Sequence, residues 1–186
     1  MSPDTDKSRL LALLRELSFE RRKVILASGK ESDFYVDCKR TALTAEGHVL
    51  VGRCLFAELR KIRPLVRGVG GLTLGADPIA SAVALTSFLE GEAVDAFIVR
   101  KEPKGHGTGQ WIEGRKTIPD GSRVVVLEDV VTTGGSALKA IERCRAEKLE
   151  PVACLALVDR LEGGREAIEA AGVPLTALFT RKDFIP

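Results

Sequence analysis

Glu128 and Asp129 stand side by side in the run Val124-Val125-Val126-Leu127-Glu128-Asp129-Val130-Val131-Thr132-Thr133-Gly134-Gly135-Ser136, and the residues after them decide what they can do. Thr132 and Thr133 offer hydroxyl donors, while Gly134 and Gly135 let the backbone approach a ligand closely and take positive φ. A glycine loop running into a helix presents bare N–H groups to an anion, so a phosphate is the expected guest. The two carboxylates would repel that phosphate. They must face something electropositive or hydroxylated, and a ribose diol, a Mg²⁺ shell or a developing cationic sugar would each suit. No Gly-Lys-Ser/Thr follows and no G-x-G-x-x-G opens the helix, which excludes a P-loop and a dinucleotide fingerprint.

A second cluster lies in Arg100-Lys101-Glu102-Pro103-Lys104-Gly105-His106-Gly107-Thr108-Gly109, where Arg100, Lys101, Lys104 and His106 place four potential cations within seven positions. The plain alternative is a solvated charge cluster. In a chain that also carries a phosphate loop, these cations suit the neutralisation of a leaving pyrophosphate, and a closing loop would exclude water from an activated ribosyl group. Arg160 follows the carboxyl end of an expected strand, where a guanidinium can grip a planar carboxylate bidentately. The competing reading pairs it with Asp159 or Glu162 on the surface. His48 has no partner in view, and no Ser or Cys has a His placed to activate it, so covalent catalysis is not expected.

The elements that must position these groups alternate. Val124–Leu127 is apolar on both faces and reads as a buried central strand ended by the two carboxylates, followed by a helix over about 136–148 with Ser136 as N-cap. Further strands are expected at Leu65–Val69, Ala96–Val99, Val152–Val158 and Leu175–Phe179. Helices are expected over about 44–62, from Pro78 to about Leu89, and over 164–171. Residues 1–7 read as loose, with a short amphipathic helix marked by Leu10, Leu13, Leu14 and Leu17. The segment 24–37 reads as two short strands, a small hood set before the main rhythm. Alternating strands and helices imply a mostly parallel sheet covered on both faces, forming one domain over 1–186 with the hood contributed by about 1–40. Between Arg100 and Arg123 no helical or strand period is visible, and so long a loop reads as a lid.

Composition sets the outer bounds. The 186 residues carry 28 basic and 26 acidic side chains with no block of like charge, so electrostatics point to no nucleic acid. Aromatic residues make up only 5%, which leaves the core to aliphatic side chains. Cys38, Cys54, Cys144 and Cys154 show no C-x-x-C spacing, there is no signal peptide, and no apolar run reaches the roughly 18 residues of a membrane span. A cytoplasmic protein with reduced thiols and no membrane contact is expected.

Residues 124–136 resemble the thirteen-residue signature of type I phosphoribosyltransferases, which bind 5-phosphoribosyl-1-pyrophosphate (PRPP). The Arg-Lys-x-x-Lys-x-His-Gly pattern from Arg100 to Gly107 resembles the catalytic loop of the orotate phosphoribosyltransferase family. Leu26-Ala27-Ser28-Gly29-Lys30 with Phe34-Tyr35, the loop from Gly71 to Ala80, and Asp159-Arg160-Leu161-Glu162-Gly163-Gly164 agree with it, so that the resemblance spans residues 10–180. It implies a type I phosphoribosyltransferase-like α/β fold that converts orotate and PRPP to orotidine 5′-monophosphate and pyrophosphate, with Mg²⁺ held mainly through PRPP. By the same resemblance Glu128 and Asp129 would hold the ribose, and Val130, Val131, Thr132, Thr133, Gly134, Gly135 and Ser136 the 5′-phosphate. Arg100, Lys101, Lys104 and His106 would meet the pyrophosphate; Lys101, Lys104, His106 and Asp129 would carry catalysis. Tyr35, Val36, Thr132 and Arg160 would border orotate. The family is also dimeric, which implies a homodimer with shared active sites, Lys104 and His106 reaching the neighbour's site.

Two positions depart from the pattern: family members often have Lys where this chain has Ala27 and Gly75. Either Lys30 or a loop Lys replaces those cations, or the pyrophosphate site is leaner. A phosphoribosyltransferase for another base, or a PRPP-sensing regulator that binds nucleic acid, are the competing functions. Arg160 argues against the first, and the lid cations with no added DNA-binding segment argue against the second.

Overall fold

The β-branched run around Val124 becomes the middle of a sheet because both of its faces are apolar. The computed structural model describes residues 3–21, 24–25, 31–62, 66–103 and 109–185. Its elements are α1 (Pro3–Leu13), β1 (Phe19–Glu20), β2 (Val24–Ile25), β3 (Glu31–Ser32), β4 (Tyr35–Val36), α2 (Lys39–Ala42), α3 (Ala45–Leu59), β5 (Gly68–Leu72), α4 (Ala76–Leu89) and β6 (Asp95–Val99). The chain continues through β7 (Ile112–Glu113), β8 (Arg123–Val131), α5 (Gly135–Ala146), β9 (Glu150–Asp159), α6 (Gly164–Ala170) and β10 (Leu175–Thr180).

Among the described residues the main sheet has the order β10-β9-β8-β5-β6-β7. Every neighbouring pair is parallel except β6 and β7, where the short edge strand runs back against its neighbour. Period-two alternation divides β8 between two cores. Val125 and Leu127 pack with residues of α1, α3 and α4, while Val124 and Val126 pack with Ala137, Ala140 and Ile141 of α5 and Ile168 of α6. The parallel sheet is therefore covered on both faces, as its apolar strands require. The four cysteines are free and buried in these layers, and burial pushes the Cys144 thiol up to about 12, which makes it a poor nucleophile.

Several boundaries differ from the sequence reading. Residues 3–7 are helical rather than loose: Asp4 and Asp6 lie in the first turn of α1, where the helix dipole favours acids, and Leu10 and Leu13 bury. The strand expected at Leu65–Val69 is Gly68–Leu72, with Leu65 and Pro64 outside the described residues. Gly70 and Gly71 thus belong to the strand and not to the loop. A Cβ on Gly70 would stand 2.1 Å from the Phe97 carbonyl oxygen, and one on Gly71 2.0 Å from that of Leu127, so these glycines let β5 press against its neighbours. Likewise β8 does not stop at the acidic pair but runs through it to Val131. The N-cap of α5 is Gly134 at φ 82°, and Ser136 sits inside the helix, because the tight turn after Val131 needs a left-handed residue.

The hood is a nested pair of hairpins. Val24 and Ile25 pair with Ser32 and Glu31, and outside them Phe19 and Glu20 pair with Val36 and Tyr35; residues 26–30, with Lys30, lie outside the described residues. Phe34 ties the hood down, with its ring centroid 5.1 Å from Phe19 and 5.5 Å from Phe184 near the far end of the chain. The Arg100–Arg123 connection, which has no period in sequence, contains β7 and a 3₁₀ turn at Arg115–Thr117, with Ile112 and Ile118 buried. A two-residue strand is too short to show alternation.

The close approach of β5 to β8 makes a direct prediction. Gly71→Ala should destabilise the fold by about 1–3 kcal/mol, since a carbonyl of the central strand must move. Urea denaturation checks this, and a wild-type midpoint would show that the two strands have slack.

Candidate active site

Ligands of open α/β sheets bind beyond the carboxyl ends of the strands, where the order reverses. Here β5 is followed on one side by β6 and on the other by β8, so the crevice lies between β5 and β8. Its walls nearly touch. A Cβ on Gly75 would lie 2.5 Å from Asp129 Oδ1, which places the turn after β5 directly against the acidic pair. That turn is stiffened by Thr73, whose hydroxyl donates to Asp77 Oδ2 at 2.7 Å and whose N–H donates to the Val99 carbonyl at 2.8 Å. The groove lined by Asp6, Arg53, Phe56, Arg60 and Glu90 lies elsewhere, near the ends of α3 and α4 that point away from this crevice.

The two carboxylates differ in environment. Glu128 is buried with Oε2 lacking a hydrogen-bond partner, and Asp129 stays partly open, its Oδ1 accepting from the Val130 N–H at 2.9 Å. Desolvation, then the charge of Asp129 and a hydrogen bond shared with it, push the Glu128 carboxyl up to about 9. Glu128 is therefore protonated at neutral pH and can donate to a hydroxyl or to Asp129. Among the described residues no three His, Cys, Asp or Glu side chains form a metal cluster. The pair fits Mg²⁺ only in the way that cation often binds, through one or two carboxylates plus substrate phosphates.

Beyond Asp129 the chain forms the anion loop. Val131 is buried, Val130 and Thr132 half-buried, and Thr133, Gly135 and Ser136 exposed at the start of α5. This loop is braced by the next one. A Cβ on Gly164 would lie 2.5 Å from Val131 Cγ1 and 2.6 Å from the Thr132 carbonyl oxygen, and the Arg160 N–H donates to the Val131 carbonyl at 2.9 Å. Gly164 and the Arg160 backbone therefore hold the 131–134 loop in shape, a role not visible in their sequence.

Arg160 is brought to the hood. Its side chain pairs with Glu162 at 2.9 Å, as the competing reading held, yet the residue is only 8% exposed, and its guanidinium lies 5.5 Å from the Phe34 ring centroid. Tyr35 and Val36 follow Phe34 in the chain, so the structure gathers Arg160 and the 35–36 strand at one place. Buried Asp159 supports the turn by accepting from the Leu161 N–H at 2.8 Å and pairing with Arg165 at 3.2 Å. His48 remains outside the site, with Nδ1 3.1 Å from the Ala42 carbonyl.

At the base of the lid, Arg100 makes an ion pair with Glu113 at 3.1 Å, and its N–H donates to the Trp111 carbonyl at 2.9 Å. Trp111 in turn stacks on Arg143 of α5, 3.4 Å from guanidinium carbon to ring centroid. Lys101 is exposed on the stem, whereas Lys104 and His106 lie outside the described residues. Sequence reasoning passed over Glu113, Arg143 and also Lys39, whose Nζ stands 2.7 Å from Asp37 Oδ1 and 3.9 Å from Asp129 Oδ2. The charged string Asp37-Cys38-Lys39-Arg40 after the hood was the available signal.

A carboxylate pair at the switch point, a glycine loop entering a helix and a braced Arg beside a hood meet at one end of the sheet, an arrangement with the chemistry to receive a phosphorylated sugar and an acidic planar partner. The family model described as phosphoribosyl transferase domain matches residues 69–171, which include that crevice. An orotate phosphoribosyltransferase of Sorangium cellulosum is 54% identical over 182 residues, covering 98% of this chain and 94% of the relative. One from Aquifex aeolicus is 49% identical over 160 residues, 86% of this chain and 85% of the relative. The crystal structure of the Mycobacterium tuberculosis orotate phosphoribosyltransferase in complex with PRPP superposes with a TM-score of 0.79 at 38% identity, covering 96% of this chain and 98% of that one. The chain belongs to the phosphoribosyltransferase family, in its orotate phosphoribosyltransferase branch.

The state of Glu128 is open to measurement. Its folded pKa, about 9, lies above the ordinary 4.5, so its contribution to stability is fully present below about pH 4.5 and is lost as pH rises toward 9. Glu128→Gln removes that loss. Its stability relative to wild type should increase between pH 5 and pH 8 by about 2–4 kcal/mol. A difference independent of pH in chemical denaturation would show that Glu128 ionises normally.

Proposed function

We propose that the chain transfers the 5-phosphoribosyl group of PRPP to orotate, giving orotidine 5′-monophosphate and pyrophosphate in pyrimidine biosynthesis. The observation that carries this reading is the meeting of the acidic pair and the phosphate loop at the β5/β8 crevice, with Arg160 and the 34–36 hood segment beside it. Loss of orotate absorbance on adding PRPP and Mg²⁺ tests it; no orotate consumption, with turnover of another base instead, would overturn it.

In this reading the N–H groups at the start of α5 and the hydroxyls of Thr132, Thr133 and Ser136 hold the 5′-phosphate. Asp129 and Glu128 face the ribose hydroxyls. As the bond from the anomeric carbon to pyrophosphate breaks and the bond to the orotate ring nitrogen forms, that nitrogen giving up its proton to the departing pyrophosphate, the sugar gains cationic character, which Asp129 stabilises. Negative charge builds on the pyrophosphate, where Arg100, Lys101, Lys104 and His106 meet it. Arg100 must exchange Glu113 for the substrate to do so. Mg²⁺ would be held mainly through PRPP, with Asp129 and Glu128 the nearest carboxylates, and would supply further charge neutralisation on the leaving group. Arg160 grips the orotate carboxylate, with Tyr35, Val36 and Thr132 along the base. Buried reduced thiols support a cytoplasmic enzyme, and among the described residues no helix is long and apolar enough to cross a membrane.

The active unit in this reading is a homodimer. Leu85, Phe88 and Leu89 are exposed on one face of α4, an apolar surface that a second copy would cover. The lid is anchored up to Arg100 and again from Trp111, whose backbones are hydrogen-bonded, so the roughly ten residues between them can carry Lys104 and His106 outward by about half their contour, roughly 16 Å plus the length of the side chains, toward a neighbour's site.

Two outcomes follow. Arg160→Ala should cost about 2–5 kcal/mol in kcat/KM for orotate and far less for PRPP, because a desolvated charge pair is lost at one substrate only; equal losses in steady-state kinetics would assign Arg160 to structure. Lys104→Ala and Asp129→Asn proteins should each be nearly inactive. Mixed after subunit exchange they should recover about a quarter of wild-type activity, since half the dimers are mixed and half of their sites are intact. Mixed dimers seen by mass spectrometry but without activity would mean that each lid closes on its own site.

A further inference from the structure

We propose that Lys39 is a substrate-contacting residue of this site, the cation that meets the pyrophosphate end of PRPP from the hood side. The inference rests on the PRPP reading above and adds a residue that neither loop of the crevice supplies.

The turn after β5 brings no positive charge. Thr73, Leu74, Gly75 and Ala76 are neutral, Asp77 adds a carboxylate, and a side chain at 75 would run straight into Asp129. PRPP carries a 5′-phosphate and a pyrophosphate, so entry beside Asp129 and Asp77 needs a cation nearby. Among the described ion pairs, the cation that reaches Asp129 is Lys39, at 3.9 Å from Oδ2.

The geometry leaves this ammonium available. At 3.9 Å its contact with Asp129 is an ion pair without a hydrogen bond, while Asp37 Oδ1 at 2.7 Å takes one of its three donors. Asp37 Oδ1 also accepts the Lys39 backbone N–H at 3.2 Å, which fixes the start of α2. The neighbouring Arg40 pairs with Glu20, lies 5.8 Å from the Tyr35 ring centroid and reaches the other oxygen of Asp37, Oδ2, at 4.0 Å, so Asp37 is shared between the two cations. Lys39 is partly buried, its side chain 36% exposed. Burial opposes its charge, but the hydrogen bond to Asp37 and the charge of Asp129 outweigh this and raise its pKa, so it stays an ammonium.

Direction follows from strand order. The 5′-phosphate loop leaves β8 and enters α5, so a ribose on Asp129 must point its anomeric carbon the other way, toward β5, the 73–75 turn and the lid stem after β6. Lys39 stands beside Asp129 on the short helix α2, which packs near α4, the helix that begins at that turn. It is therefore placed for the leaving group and not for the 5′-phosphate.

The test is a comparison of four ligands in both reaction directions with K39M and K39R. K39M should raise KM at least tenfold for PRPP and for pyrophosphate, and leave KM for orotate and for orotidine 5′-monophosphate within about twofold; K39R should restore most of the loss. Should K39M fail to fold, K39Q gives the same reading, since it keeps a polar end that can hydrogen-bond Asp37 and removes the charge. Similar rises for all four ligands would make Lys39 a brace of the hood, which also carries the base contacts, and would overturn the proposal, as would unchanged constants. Absence of orotate turnover in the wild type would instead overturn the PRPP reading itself.

Discussion

The site depends on backbones that approach more closely than any side chain would allow. Gly71 lies against the Leu127 carbonyl, Gly75 against the Asp129 carboxylate, and Gly164 against Val131 and Thr132. These three contacts pull the loops after β5, β8 and β9 into one crevice. Each is a place where a methyl group would force backbone or carboxylate to move, so the spacing of the loops is set by hard-core repulsion and not by flexible side chains. A phosphate can then be met by backbone N–H groups whose positions are fixed before it arrives, which lowers the cost of ordering on binding.

The electrostatic character of the crevice follows from that closeness. Two carboxylates in adjacent positions, one of them buried, cannot both ionise cheaply, and the structure resolves this by keeping Glu128 protonated. A positive centre developing on a sugar beside them would favour the charged form. Surrounding cations are held in reserve on other partners: Arg100 on Glu113, Arg160 on Glu162 and Lys39 on Asp37. Exchange of these carboxylates for substrate oxygens would couple filling of the site to small movements of the lid stem and hood.

The hood and the lid stem are tied to the body through different contacts. The hood is fastened by the Phe19, Phe34 and Phe184 rings and by the Arg181–Asp33 pair, so residues 34–39 are set against the strand ends. Among the described residues the lid stem is fastened through Trp111 on Arg143 and through buried Ile112 and Ile118. The alignment with the phosphoribosyltransferase relatives covers nearly the whole chain, hood included.

Much of this was legible in the residues themselves. Alternation of apolar runs and helical stripes determined the parallel α/β sheet, because each strand buried on two faces must be apolar throughout. The acidic pair, the Thr-Gly loop and the cationic stretch after Arg100 marked the chemistry by side-chain type alone. Other features came only with tertiary structure. The π-helical turn at Leu14–Ser18 and the two-residue strands are too short for any period. Whether a glycine belongs to a strand or a loop depends on what stands beside it, as Gly70 and Gly71 show. Lys39 lies ninety positions before Asp129 and beside it in space, and ion pairs across such distances leave no local pattern. Their partners are chosen by how the hood folds back over the strand ends, a choice made by packing and not by sequence spacing.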